Sequence, residues 1–236
     1  MSLLSSPLFA DLSPSLLQTL ENMALPRRVE EGGFFFMEGD EASHLYFLTL
    51  GRVHVFRLTT DGKQIGLRIV TPGMLFGAVA ITRPEKGYPV TAQALEDSQA
   101  LAWEAESFYG LLVRFPELFR KLFHTVYEHL EEAHTRLVEL ASQRVEQRLA
   151  RLLLRLASQM GRETSEGILI DMRLTRQTLA ELCDTTLFSV SRALSEWEQQ
   201  GWITARREQI VLRNPHALFV LSEGLDARVG GSPRRL

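Results

Sequence analysis

The sequence predicts an α+β fold with three successive parts: a jelly roll (double-stranded β-helix), one long helix, and a small domain of helices with a β-hairpin. Three observations predict it. Short β-rich runs separated by Gly, Pro and Asp occupy residues 34–105, a seam of apolar residues with helical spacing begins at Phe115, and two short helical patterns precede two strand patterns in the C-terminal third. We therefore divide the chain into residues 1–114, 115–145 and 146–236.

The composition is that of a globular protein without a membrane span. Hydrophobic residues make up 45% of the 236 positions and charged residues 23%, and no apolar run approaches the roughly 18 residues that a membrane helix needs. The first residues lack the basic and apolar regions of a signal peptide, so we expect a cytoplasmic protein. Because Cys183 is the single cysteine, an internal disulfide and a metal site of several cysteines are excluded, and we expect no metal site.

Charge and motifs favour a binding protein over an enzyme. From Val145 onward 13 arginines stand against 11 acids, about +2, whereas the preceding part carries about −5. Every cation of the C-terminal part is an arginine, whose planar fork suits phosphates and guanine edges, although a high-GC genome would also give this composition. The sequence has no Gly-rich phosphate loop, HExxH motif or nucleophile elbow, so we expect no catalytic residues.

The N-terminal region begins with a predicted helix and continues as strands. Residues 13–23 form a helical pattern with Ser13 as N-cap and Pro14 at the first helical position. Asp61-Gly62 is the clearest hairpin turn, and we expect His44 and His54 on strands. The strand patterns are "FFFMEGD", "HLYFLTLGRVHVFRL", "GLRIV", "VTAQAL" and "QALAWEA".

A long helix follows. From Phe115 apolar residues recur three or four apart over about 25 residues. A helix of this length with such a seam usually packs against a partner, and the simplest partner is the same helix of a second copy. The alternative is that the helix docks on its own β-domain, which would bury its Phe-rich first half. The predicted dimer interface consists of Val126, Leu130, Ala133, Leu137 and Leu140.

The C-terminal third has the order of elements of a winged helix-turn-helix. An amphipathic helix starts around residues 143–148, "GRETSEG" is a polar loop, and "ILIDMRL" is a short strand. Two short helices in "LTRQTLAELCDTTLFSVSRALSEWEQQ" meet at a turn that contains Asp184, a residue type tolerant of left-handed φ. The segment "WITARREQIVLRN" then gives two strands with a basic turn at Arg206-Arg207.

The second short helix has a distinctive outward face. Val190, Leu194 and Trp197 form an inward stripe at helical spacing. Hydroxyls and an arginine on the other side suit phosphates and base edges, and an exposed Leu-Phe pair is costly unless it is covered, so duplex DNA would satisfy both. The alternative is a helical hairpin whose Leu-Phe pair contacts another part of the protein. The outward residues are Thr186, Leu187, Phe188, Ser189 and Arg192.

Nearly the whole chain resembles the CRP/FNR family of bacterial transcription regulators. The motifs that carry the resemblance are "EGDEASHLYFLTLGRVHVFR" and "TPGMLFGAVA" in the β-rich region, the long helix from Phe115, and "LTRQTLAELCDTTLFSVSRAL" followed by "GWI". The resemblance implies a β-roll that senses a small effector and a homodimer that binds a two-fold operator on double-stranded DNA. It also implies RNA polymerase as a partner.

The resemblance assigns roles in DNA binding. Arg192 would contact a guanine. The family commonly has Arg-Glu where this chain has Leu187-Phe188. Phe188 accepts no hydrogen bond from cytosine, so it would either pack on a thymine methyl or stay clear of the bases. We therefore expect an operator with T-rich flanks around the guanine rather than the common family site. The residues expected near phosphates are Arg176, Gln177, Thr186 and Ser189, and the wing adds Arg206 and Arg207.

The resemblance also implies an effector pocket in the β-roll. Members that bind cyclic AMP have a Glu and an Arg-Ser pair where this chain has Ala78 and Tyr88-Pro89, so a buried cyclic phosphate would lack its arginine and we expect another effector. The pocket is apolar and would take a small hydrophobic or weakly polar ligand, or else side chains fill it and the protein is permanently competent to bind DNA. Its expected residues are Phe76, Gly77, Ala78, Tyr88, Pro89 and Val90, with Ala133 and His134 from the long helix.

The sequence leaves the cofactor unknown. The iron-sulfur members use an N-terminal cysteine cluster, which this chain lacks. Haem bound by His134 is an alternative, which would make the protein a gas or redox sensor with the same DNA-binding mechanism. His124, His129 and His134 are five residues apart, so they spiral around the helix and do not form one metal site. A further alternative is a sensor or scaffold whose winged domain binds protein.

Overall fold

The structure, a computed structural model, describes Leu3 and residues 6–206 and 208–225. Residue contacts divide the chain into two units, Met1–Ala133 and His134–Leu236, so the boundary falls inside the long helix. Arg207, which we expect in the wing, and the terminal segment "GGSPRRL" lie outside the described residues.

The first unit is an antiparallel jelly roll followed by helices, which confirms the predicted fold of this region. Two four-stranded sheets face each other, with strand orders β1-β8-β3-β6 and β2-β7-β4-β5. The elements are α1 (Pro14–Met23), β1 (Leu25–Val29), β2 (Phe34–Phe36), β3 (His44–Leu50), β4 (Val53–Leu58), β5 (Gln64–Val70), β6 (Leu75–Phe76), α2 (Val79–Thr82), β7 (Thr91–Ala94), β8 (Ser98–Glu104), α3 (Ala105–Arg114) and α4 (Pro116–Ser142).

The first helix and the clearest hairpin form where the sequence predicts them. Ser13 caps α1, its side chain accepting a hydrogen bond from the Leu16 N–H at 3.3 Å, and Pro14 is the first helical residue. The β4–β5 turn closes with a hydrogen bond of 2.9 Å from the Thr59 N–H to the Lys63 carbonyl. Gly62 lies in this turn at φ 81°, a left-handed conformation that favours glycine.

Four elements of the first unit, β1, β6, α2 and α3, are not predicted from the sequence. Strand β1 is exposed along nearly all its length, so it lacks the alternation of a half-buried strand. It forms because its backbone pairs with β8, from Leu25 opposite Ala102 to Val29 opposite Ser98. Helix α3 has apolar residues at helical spacing, but a single residue, Phe115, separates it from α4, so the two helices share one continuous pattern.

Side chains of β3 reach two separate apolar cores. Because successive residues of a strand point to opposite faces, Leu45 and Phe47 pack in the cluster that contains the helices, whereas Tyr46 and Leu48 pack in the cluster between the sheets. Trp103 of β8 is fully buried in the helix cluster, and its indole N–H donates to the Leu20 carbonyl at 2.8 Å. This sheet is therefore covered on both faces.

Helix α4 docks on the first unit through leucines. Leu118 and Leu122 are buried in the helix cluster, whereas Phe119 and Phe123 are 54% and 63% exposed. The alternative in which the β-domain buries the Phe-rich first half of the helix is therefore wrong for the phenylalanines. The leucines lie on the face that meets the jelly roll, and the phenylalanines lie beside that face.

The second unit, which begins within α4, contains a winged helix-turn-helix, as the sequence predicts. One four-stranded antiparallel sheet has the order β11-β12-β10-β9. The elements are α5 (Val145–Met160), β9 (Gly161–Thr164), β10 (Gly167–Ile170), α6 (Arg176–Leu182), α7 (Leu187–Gln199), β11 (Ile203–Arg206), β12 (Gln209–Leu212) and α8 (Pro215–Ser222).

The prediction of a polar loop for "GRETSEG" is wrong for its first four residues, which form strand β9. This strand pairs with β10, from Gly161 opposite Ile170 to Thr164 opposite Gly167. The Thr164 hydroxyl donates to the Gly167 carbonyl at 2.8 Å and accepts from the Glu166 N–H at 3.3 Å, which closes the hairpin. An edge strand exposed to solvent carries polar side chains, so its composition resembles that of a loop.

Candidate nucleic-acid interface and sensory site

Threonine caps fix the starts of the two helices of the helix-turn-helix. The Thr175 hydroxyl accepts from the Thr178 N–H at 2.9 Å, and the Thr186 hydroxyl accepts from the Ser189 N–H at 3.1 Å. Such a cap contributes about 1 kcal/mol. Asp184, in the turn between the helices, has φ 45°, the left-handed conformation that the sequence predicts there.

The inward side of α7 is buried as the helical spacing predicts. Val190, Leu194 and Trp197 are each at most 3% exposed. Ala180 of α6 and Ala193 of α7 are also buried, and their small side chains allow the two helices to approach closely. The orientation of α7 about its own axis is therefore determined by packing, which also determines the residues that face solvent.

The outward side of α7 combines apolar, hydroxyl and cationic groups. Phe188 is 74% and Leu187 is 49% exposed, and Ser189 is partly exposed beside them. Arg192 lies one turn further along and is exposed, with its Nη2 3.4 Å from Glu146 Oε1. An exposed ion pair of this kind is weak, so the guanidinium is able to exchange Glu146 for another acceptor.

The other predicted DNA-binding residues lie in the same unit. Arg176 and Gln177 are exposed in the first turn of α6, where the Gln177 amide donates to Glu181 at 2.8 Å. Arg206, at the end of β11, forms an ion pair of 2.9 Å with Glu166, in the turn between β9 and β10. Arg206 is therefore partly neutralised by an acid of the neighbouring hairpin.

The residues predicted to form the effector pocket occupy different environments. Phe76 and Tyr88 are buried between the sheets. The Tyr88 ring stacks on Phe36 with centroids 3.8 Å apart, and its hydroxyl donates to the His44 carbonyl at 2.6 Å. Gly77, Ala78 and Val90 are partly buried, and Pro89, Ala133 and His134 are exposed.

Sequence patterns miss Arg68, which lies on β5 next to this region. Its Nη2 donates to the carbonyl of Leu75 on β6 at 3.2 Å, and its Nη1 contacts the imidazole of His129 on α4. Burial lowers the pKa of the Arg68 guanidinium, and the charge of Glu132 opposes that shift. Burial and the nearby Arg68 also lower the pKa of His129 to about 4, so its imidazole is neutral at neutral pH. An arginine in a strand pattern gives no signal of burial, because its partners come from distant segments.

The described residues contain no group of three His, Cys, Asp or Glu side chains placed to hold a metal ion. The histidines of α4 have separate partners: His124 lies 3.3 Å from Glu128, and His129 contacts Arg68. Within the same part of the chain, no helix is long and apolar enough to cross a membrane.

Two family models match the chain on either side of α4. Residues 26–115 match the cyclic nucleotide-binding domain, and residues 147–220 match the Crp-like helix-turn-helix domain. The chain is also 31% identical over 193 residues to the anaerobic regulatory protein of Bacillus subtilis, a match that covers 82% of this chain and 81% of that protein. This chain belongs to the CRP/FNR family of transcription regulators.

Other CRP/FNR proteins resemble the chain over most of its length. The CRP-like cAMP-activated global transcriptional regulator of Mycobacterium tuberculosis is 24% identical over 89% of this chain and 94% of its own length. The structure of FixK2 from Bradyrhizobium japonicum, also 24% identical, covers 84% of this chain and 96% of that chain with a TM-score of 0.75. The β-roll, long helix and winged helix-turn-helix are thus the CRP/FNR fold, with the helix-turn-helix as its DNA-binding element.

Proposed function

We propose that this CRP/FNR regulator acts as a homodimer on a two-fold DNA operator, with α7 in the major groove of each half-site. The observation that carries the proposal is the outward side of α7, where Phe188 is 74% exposed beside Leu187 and Arg192. Phe188 and Leu187 are adjacent, so they form an exposed apolar surface beside a cation, and contiguous exposed apolar surface marks an interaction site. The major groove admits a helix and presents both thymine methyls and guanine acceptors.

Each predicted contact has a distinct task. Arg192 reads a guanine, and Phe188 packs on thymine methyls. The remaining contacts, to DNA phosphates, position the protein on the duplex without reading its sequence. They come from Arg176, Gln177, Thr186 and Ser189 near the helix-turn-helix and from Arg206 and Arg207 of the wing.

The exposed seam of α4 supports the homodimer. Val126 and Leu130 are 48% and 50% exposed, and Leu137 is 64% exposed. These residues follow the spacing of a two-stranded coil, in which a second copy of the helix would cover them. Ala133 and Leu140 continue the same line.

Selection of bound sites from random-sequence duplex DNA tests the DNA-binding proposal. We expect two-fold symmetric sites with a guanine in each half-site and thymines beside it. We expect three arginines of each protomer to contact DNA phosphates: Arg176, Arg206 and Arg207. About six such contacts in the dimer predict a slope of about −5 for log K against log salt. A bound fraction with no shared sequence, or a slope near zero, would contradict the proposal and favour a winged domain that binds protein.

We also propose that the regulator responds to a small effector with an acidic group, other than cyclic AMP, at the β-roll. Arg68 supports this proposal because its direct contacts are a carbonyl and a neutral imidazole, while the charge of Glu132 acts on it as well. A bound anion would add a second counter-charge to this partly buried guanidinium. The apolar surroundings of Phe76 and Val90 would accept the remainder of a small organic anion. Haem at His134 stays an alternative, which an absorbance spectrum in the Soret region decides.

Thermal unfolding with anionic probes tests the effector proposal. At a hundredfold excess over Kd, a bound anion adds roughly 2.7 kcal/mol of stability, so we expect benzoate, succinate or inorganic phosphate to raise the Tm of the wild type by roughly 5 °C or more. The rise should disappear in Arg68→Gln and persist in Arg83→Gln, which removes an exposed arginine of the same unit. Equal shifts in all three proteins would contradict the assignment to Arg68. Full operator affinity without any small molecule would favour a pocket filled by side chains.

A further inference from the structure

Two arginines from different helices bind the turn of the helix-turn-helix. Arg136, on the last turns of α4, donates to the carbonyl of Leu182, the last residue of α6. Arg148, on α5, donates from Nε and Nη2 to the Cys183 carbonyl at 3.2 and 3.1 Å. The same Nη2 lies 3.4 Å from the Asp184 carbonyl. The three consecutive carbonyls that precede α7 are therefore held by cations from outside the helix-turn-helix.

These bonds supply donors to carbonyls at the C-terminal end of α6. The last carbonyls of a helix have no intrahelical N–H donor, and the left-handed Asp184 turns the backbone away from the axis of α6. Hydrogen bonds from a charged donor are roughly twice as strong as neutral ones, and they are directional. The hydrogen bonds of Arg136 and Arg148 thus fix the turn between α6 and α7 relative to the last turns of α4 and to α5.

Side chains also span the break between α4 and α5. Glu139, near the end of α4, is buried, and its Oε1 lies 3.8 Å from Nη1 of Arg151 on α5. Arg148 Nη1 donates to the Gln143 carbonyl at 2.9 Å, and the Gln147 side chain accepts from the Arg144 N–H at 3.0 Å. The break between α4 and α5 at residues 143–144 is therefore stabilised by side-chain contacts that connect the two helices.

The contacts described above for Arg136, Glu139, Arg148 and Arg151 lie within the unit that begins at His134. Cys183 adds no charge to this cluster, because burial raises the pKa of its thiol to about 12. Arg151 is held by the carboxylates of Glu139 and Glu223, at 3.8 and 2.8 Å. Arg136 and Arg148 donate to carbonyls of the turn, so the geometry of these two arginines depends on the path of the turn.

We infer that Arg136 and Arg148 are positioning residues that fix the recognition helix α7 to the end of the dimer helix α4. The last turns of α4 then move with the DNA-binding domain as one body, and any pivot lies before Arg136 rather than at the break between α4 and α5. This inference rests on the proposed dimer on a two-fold operator. Its consequence is that the two recognition helices are held at one separation and one relative orientation.

Operators with altered half-site spacing test the inference through DNA binding. One base pair inserted at the centre rotates one half-site by about 34°, so we expect the wild type to bind the altered operator at least tenfold more weakly. In Arg136→Gln/Arg148→Gln this ratio should fall below threefold. Arg162→Gln, which removes an exposed arginine of β9, should keep the wild-type ratio, and Arg136→Lys/Arg148→Lys, which keeps both charges, should recover most of it.

A general loss of affinity with an unchanged spacing ratio would overturn the inference while leaving the proposed function intact. Failure of the wild type to bind any operator would overturn both. The spacing ratio separates positioning from simple destabilisation, because a less stable domain loses affinity for all spacings equally.

A spin-label measurement tests the same inference without DNA. In a Cys183→Ser background, Ser195→Cys places a label on the exposed side of α7 in each protomer. We expect a narrow distribution of label-to-label distances in the dimer and at least a doubling of its width in Arg136→Gln/Arg148→Gln. An unchanged width in that variant, with Arg162→Gln as control, would overturn the inference.

Discussion

Arg192→Ala is expected to weaken operator binding by about 2–6 kcal/mol, because a bidentate arginine–guanine contact is worth roughly 1–3 kcal/mol and a two-fold operator has two of them. Arg192 is exposed on α7, and its weak pairing with Glu146 leaves it available to the groove. Fluorescence anisotropy with the selected operator at one fixed salt concentration measures the loss. The variant should also lose discrimination at the guanine position, so that an operator with adenine there binds as well as the original.

Two variants control for charge and for the partner of Arg192. Arg120→Ala removes the same charge from an exposed position on α4 and should leave operator affinity within a few tenths of a kcal/mol. Glu146→Gln releases Arg192 and removes a negative charge near the DNA, so its affinity should equal or exceed that of the wild type. An Arg192→Ala protein that binds the operator normally and still prefers guanine would contradict the recognition role.

Leu137→Glu is expected to separate the dimer and to abolish operator binding at the same time. Leu137 is 64% exposed in the single chain and lies on the predicted seam, where two copies of the helix would bring two carboxylates into apolar surroundings. A cost of about 3 kcal/mol or more raises the dimer Kd by over 100-fold. Sedimentation equilibrium measures the dimer, and anisotropy measures the operator complex.

Thr135→Glu is the matched control for this variant, because it adds the same charge on the opposite side of α4. It should sediment as a dimer and bind the operator as the wild type does. If Leu137→Glu is monomeric and still binds the two-fold operator tightly, dimerisation through α4 is not what places the recognition helices. A Leu137→Glu protein that remains a dimer would place the interface elsewhere.

The sequence predicts the helix-turn-helix well because its signals are local. Helical spacing alone places Val190, Leu194 and Trp197 inside and Phe188 and Arg192 outside, and the structure has them so. The threonine caps and the left-handed Asp184 are also local, since each depends on groups within three residues along the chain. Strands β1 and β9 were harder to predict because an exposed strand depends on its neighbour's backbone and not on its own side chains.

The sensory site shows the opposite case. A family resemblance identifies positions such as Tyr88, but the stacking of Tyr88 on Phe36 and its bond to the His44 carbonyl join segments about fifty residues apart. Arg68 leaves no signal at all, because its burial results from the meeting of β5, β6 and α4. The contacts of Arg136 and Arg148 with residues 182–184 are likewise non-local.

By itself the sequence determined the order of the three parts of the chain, the inward and outward sides of α7, and resemblance to a class of DNA-binding regulators. Periodicity, caps and turn residues depend on groups a few positions apart in the chain, so they are recognisable from the amino-acid sequence. Tertiary structure alone decided which polar side chains lose water and which carbonyls receive a guanidinium, because those outcomes depend on segments that only the folded chain brings together.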